Sequence, residues 1–166
     1  MKTHTATSTQ KTKNTAKYLS YKAAFERIKD AIEKGFPFEA ITLCESIMSD
    51  RLLSYMFGAG DVKIPIDKPF RLPTFKNLID ECKRLSGKAA SKQDTEDLMN
   101  AVNAWRELRN DAVHNFAKSL PGKPTMEVET ALTNAKTAAR KGASLARKVC
   151  AWHTKNLRLA RKTIPA

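Results

Sequence analysis

Apolar side chains recur along this chain at three- and four-residue intervals almost from end to end, the period of an amphipathic helix. Tyr21, Ala24, Phe25, Ile28, Ala31 and Ile32 share one stripe and predict a first helix from about Tyr18 to Lys34, stopped at Gly35. Pro37 stands where a first-turn proline belongs. The helix it opens, reaching about Phe57, is apolar around much of its circumference, as the central helix of a bundle is. Gly58 and Gly60 end it. Residues 61–73, with Pro65, Pro69 and Pro73, predict a loop long enough to line a site. A third helix is expected from Thr74 to about Leu85, closed by Ser86 and Gly87. A fourth should start near Asp94 or Thr95, whose side chains can cap it, and carry Leu98, Val102, Trp105, Leu108, Ala112 and Phe116. After a break at residues 120–124, Thr125 opens a last helix reaching at least Cys150, with Arg161 as its far limit. No alternating run bounded by tight turns predicts a strand. The expected fold is therefore all-α, an up-and-down bundle of about five helices with a basic C-terminal extension. Residues 1–16, with six threonines and few apolar side chains, read as a disordered tail. Residues 17–150 read as the helical domain, and 151–166 as a basic tail or helix extension.

At 166 residues the chain is one domain's worth and long enough to bury a core without staples. Cys44, Cys82 and Cys150 are an odd, widely spaced set, which argues against a disulfide scaffold or a zinc ribbon. Their apolar helical positions suit core packing better than nucleophilic chemistry. No apolar region follows the first charges as in a secretory signal, and no stretch is apolar enough to span a membrane. A reducing, cytoplasmic location is the expectation. The net charge is +13, and it is segregated. Residues 1–25 hold five basic and no acidic residues, 26–129 hold 16 basic and 17 acidic, and 130–166 hold nine basic and none acidic. A near-neutral body with two basic ends concentrates polyanions, RNA or DNA above all. Lys148, Lys155, Arg158, Arg161 and Lys162 are the candidate phosphate contacts. With Trp152 as the only interleaved aromatic, they attract phosphates and do not stack bases.

Two charges interrupt apolar stripes. On a helical wheel with Trp105 at zero, Arg109 falls at roughly 40°, inside the apolar arc of the fourth helix, while Arg106, Asn110 and His114 follow at roughly 100°, 140° and 180°. On the second helix, Glu45 sits amid Phe38, Ile41, Met48, Leu52 and Met56. A charge inside a core stripe is costly unless it is paired or faces a ligand. Opposite misfit charges on two central helices are expected to meet, Glu45 holding the Arg109 guanidinium. Asn110 and His114, four residues apart, can hydrogen-bond along the helix.

Residues 108–114, Leu-Arg-Asn-Asp-Ala-Val-His, resemble the signature of HEPN domains: an Arg, a polar residue next, and a His after four to six intervening positions. Arg147 and His153 fit the loose spacing too, but lack an Asn after the Arg. The resemblance implies a helical bundle of about this length with the motif on a late helix. It also implies a metal-independent endoribonuclease of the toxin or phage-defence type, acting as a homodimer in which two motifs meet, with a cognate antitoxin protein as a possible partner. In that chemistry the RNA 2′-hydroxyl attacks the adjacent phosphate, leaving a 2′,3′-cyclic phosphate and a 5′-hydroxyl. His114 suits proton transfer near neutrality, Arg109 a bidentate grip on the phosphate, and Asn110 orientation of either, with Arg106 and Glu45 in support. One chain offers one His at this place, so two-step acid–base work calls for a second copy. No metal or other cofactor is expected. Asp94, Glu96 and Asp97 read as the acidic first turn of a helix, and no phosphate-binding Gly-rich loop is present. The alternatives are a non-catalytic HEPN-like module that binds nucleic acid or protein, and a basic nucleic-acid-binding protein in which Arg109 and His114 are structural.

Overall fold

The computed structural model describes residues 6–59, 73–117 and 126–160. Five helices run up and down: α1 (Ala6–Lys34), α2 (Pro37–Gly58), α3 (Phe75–Arg84), α4 (Lys92–Ala117) and α5 (Val128–Ala160), with a 3-10 turn at Ser86–Lys88 before α4. The described residues contain no strand, and none of their helices is long and apolar enough to cross a membrane. The proline-bearing segment 61–72, the break at 120–124, and Arg161 and Lys162 lie outside the described residues.

Side-chain size explains the packing. α2 brings large residues inward, with Ile41, Met48 and Leu52 at most 2% exposed. α5 answers with Ala135, Ala138, Ala139 and Ala146, all fully buried. Small side chains let α2 and α4 both approach α5 closely, so α5 and α2 form the centre, α4 packs on α5, and α3 bridges α2 and α4. α1 lies across α2. The α4–α5 approach is tightest at Gly142, where a Cβ would stand 2.8 Å from the Trp105 ring. The same indole donates from Nε1 to the Ala138 carbonyl at 2.8 Å. That lock sets the rotation of α4 and therefore the direction of Arg109, one turn further on.

Several boundaries differ from the sequence reading. α1 begins at Ala6, ahead of the start near Tyr18 expected for the first helix. Once the apolar face from Tyr21 to Ile32 is anchored, each added residue extends an existing nucleus at little cost. The cap of α4 is Ser91, whose Oγ accepts from the Asp94 backbone N–H at 3.2 Å. Thr95 is instead buried and accepts from Trp152 Nε1 at 2.9 Å. Past residue 150, α5 continues to Ala160 and packs on the bundle. Trp152 stacks on Tyr55 with centroids 4.6 Å apart, His153 is buried against Ser54, and Asn156 Oδ1 accepts from the Ala90 N–H at 2.8 Å. Basic composition concealed a core face on this last stretch of α5.

Candidate functional site

Arg109 Nη2 forms an ion pair with Glu45 Oε1, joining α4 to α2. The two side chains are 20% and 27% exposed, so the pair is largely desolvated without being sealed. Arg109 Nη1 also donates to Asn110 Oδ1 at 2.7 Å, while its buried Nε has no hydrogen-bond partner among the described residues. Both charges lie where the two apolar stripes face each other, and pairing is what makes their position tolerable. Asn110 thus serves Arg109, and no hydrogen bond links it to His114 among the described residues. Arg106 turns elsewhere: its Nε donates to Asn103 Oδ1 at 3.3 Å and its Nη2 pairs with the neighbouring Glu107. His114 is exposed and lies beyond the pair near the end of α4. Beside it, Val113 and Phe116 are 38% and 44% exposed, although the Phe116 ring packs at a tilt against Phe38 with centroids 4.9 Å apart. Glu45 also borders a cavity of about 630 Å³ between α2 and α3, walled by Leu53, Phe75 and Leu78 and fringed by Thr42, Ser46 and Ser49.

No family model matches the chain, and comparison with curated proteins and with solved structures returns no match.

The other Arg–His spacing is taken apart by the fold. Arg147 lies over the Phe25 ring at 5.3 Å, whereas His153 is 2% exposed with Nε2 3.0 Å from Ser54 Oγ. Burial, with the nearby cations Arg51 and Lys17, pushes His153 down to about 4, so it is neutral at physiological pH. Around it lies a polar group that sequence reasoning missed. Tyr21 donates to Asp50, Lys17 donates to Asp50 at 3.1 Å, and Arg51 stacks over the Tyr21 ring at 3.9 Å. Burial works to raise Asp50, but the hydrogen bonds from Tyr21 and Lys17 prevail and hold it below the usual carboxylate range. The clue was Asp50-Arg51, a charged pair interrupting α2 one helical face away from Glu45. Cys44 and Cys82 are fully buried, and burial pushes both thiols up to about 12, which leaves them packing residues. Of the basic residues proposed to meet phosphate, Lys148 and Lys155 are exposed along α5, and Arg158 falls in its last turn.

Proposed function

We propose that the protein is a HEPN-type, metal-independent endoribonuclease of the toxin or phage-defence kind, cleaving RNA to 2′,3′-cyclic phosphate and 5′-hydroxyl ends. The observation that carries the reading is the guanidinium of Arg109, held between Glu45 and Asn110 five residues before an exposed His114. A pre-oriented guanidinium can stabilise charge on a phosphorane without reorganising at the moment of reaction. Within one helix, Arg109 and His114 are about 140° apart in azimuth and about 7.5 Å apart along the axis, so one copy does not converge them. A two-fold dimer through the end of α4 would bring a second His114 to the cleft, and the exposed Val113 and Phe116 supply apolar surface near it. Lys148, Lys155, Arg158, Arg161 and Lys162 would gather RNA without taking part in bond cleavage.

The non-catalytic module is the second reading. It is favoured by the His114 imidazole, which nothing among the described residues of one chain orients. Incubating the purified protein with RNA in EDTA separates the two. The ribonuclease reading expects cleavage with cyclic-phosphate ends, abolished by His114→Ala and by Arg109→Ala, from a dimeric species. Intact RNA, or cleavage indifferent to His114→Ala, would overturn it in favour of the binding module.

A further inference from the structure

The outer seam between α4 and α5 is open. Two adjoining depressions, of about 550 and 310 Å³, meet at Lys148 and form one groove lined by α4, α5 and the turn before α4. On the α5 edge the groove-facing residues are Lys141, Ser144, Lys148, Ala151 and Lys155, all exposed. Their spacing alternates between three and four, the 3.5-residue rhythm of a coiled-coil seam, and holds for two heptads or about 21 Å of helix. On the α4 edge, Leu98, Ala101, Ala104 and Leu108 repeat at the same three-to-four spacing, and each keeps part or all of its surface in solvent. Two parallel rows with small residues at their centre leave room for a third helix to seat apolar knobs at close range. The sequence reading places Leu98 and Leu108 on the apolar stripe of α4.

We propose that the α4–α5 groove is the docking site for an acidic amphipathic helix of another protein. Charge complementarity selects the occupant. Lys141, Lys148 and Lys155 stand seven residues apart on one rim, and the opposing charge on the groove is Asp94, which meets Lys155 at 3.8 Å. Both partners of that pair are more than 60% exposed, so an incoming carboxylate can exchange with Asp94 at little cost. A helix with Asp or Glu at every seventh residue beside an apolar stripe matches the lysines in register, the helix-in-groove mode of recognition. RNA fits less well. Trp105 and Trp152, the aromatic rings beneath the groove, are only 3% and 8% exposed and offer bases no open ring to stack on. A second copy of this chain also fits poorly, because its long terminal helices carry the same positive sign. The groove is separate from the Glu45–Arg109 pair but shares Lys148 and Lys155 with the proposed RNA contacts, so a helix seated there competes with RNA gathering and not with bond cleavage.

The test uses the full-length protein and a synthetic helix of about 21 residues, three heptads with Leu at both seam positions and Glu flanking them. Fluorescence anisotropy should show saturable binding. Replacing Lys141, Lys148 and Lys155 together by Glu should weaken it at least tenfold (about 1.4 kcal/mol). Ala101→Arg, which fills the floor, should weaken it comparably. A peptide with Lys in place of Glu should bind the triple variant and not the wild type. Circular dichroism of each variant controls for folding, which exposed positions should preserve. Binding indifferent to these changes, or lost in the triple variant without recovery by the charge-swapped peptide, would overturn the proposal. So would two other outcomes: an oligouridylate competing for the groove while the peptide does not bind, or Ala101→Arg dissociating a dimer of this chain.

Discussion

Replacing Glu45 by Leu strands the Arg109 guanidinium, and replacing Arg109 by Met strands the Glu45 carboxylate. Removing one partner costs about 3–5 kcal/mol when a pair is fully buried and leaves an orphaned charge, whereas an exposed pair is worth only about 0.2–1 kcal/mol. With side chains 20% and 27% exposed, this pair lies between those limits. Each single substitution should therefore cost about 2 kcal/mol, lowering the melting temperature by about 4–8 °C for a domain of this size. The double variant removes both charges and refills the seam with apolar volume, so its loss should fall below the sum of the two by about 1–2 kcal/mol. Urea unfolding followed by circular dichroism measures all four corners of the cycle. The same double variant should bind RNA without cleaving it if Arg109 grips the phosphate. Additivity of the two single losses to within about 0.5 kcal/mol would refute the coupling. Glu45 would then be solvated despite its place in the stripe, and the orientation of Arg109 would have to come from Asn110 alone.

Gly142→Ala should destabilise by about 1–3 kcal/mol, because the added methyl meets the Trp105 indole at 2.8 Å and that ring is also tied to Ala138; a stability equal to wild type would mean that α4 can slide. His153 is held near 4 in the folded protein against about 6.5 when unfolded. Its contribution is therefore complete above about pH 6.5 and lost as pH falls toward 4, because only the unfolded chain binds the proton in that window, an effect of up to about 3 kcal/mol. His153→Gln should flatten urea midpoints between pH 4 and 6.5, and an unchanged pH profile would place the acid sensitivity elsewhere. Cys44 and Cys82 should resist alkylation at pH 8 in the native state and react on unfolding, as mass spectrometry after iodoacetamide treatment would report; rapid native labelling would show local opening of α2 or α3.

The helix plan was legible because period and punctuation agreed. Gly35 with Pro37 marks the α1–α2 joint, and Thr74 accepts from the Asn77 N–H to cap α3. The meeting of Glu45 and Arg109 was legible for a different reason: an isolated charge inside an apolar stripe has few tolerable solutions, and opposite signs on two central helices supply one. Less legible was any feature set by which side of a stripe finds a neighbour. Leu98, Ala101 and Leu108 belong to the apolar arc of α4, yet α5 crosses so that they edge a groove. Trp152, His153 and Asn156 are hidden in a basic run because their inward phase is diluted by Thr154, Lys155 and Arg158 between and after them. The Tyr21–Asp50–Arg51 group requires knowing that α1 lies across α2, which composition does not encode.

The distance in sequence between α2 and α5 has a consequence in time. α2 emerges from the ribosome early, with Ile41, Met48 and Leu52 turned toward a core whose largest share α5 supplies. At about 5–20 residues per second, the roughly 100 residues from the end of α2 to the end of α5 take about 5–20 s to make. During that interval the nascent chain carries an uncovered apolar helix and is exposed to capture by chaperones. The α4 rotation that aims Arg109 waits on Gly142 and Ala138, which are synthesised after α4 itself. A polypeptide released early, at or before Cys150, would lack the Trp152, His153 and Asn156 anchors and could not close its core. Whatever chemistry the motif on α4 performs is thereby withheld until α5 has been made, a delay set by helix order and not by any inhibitor.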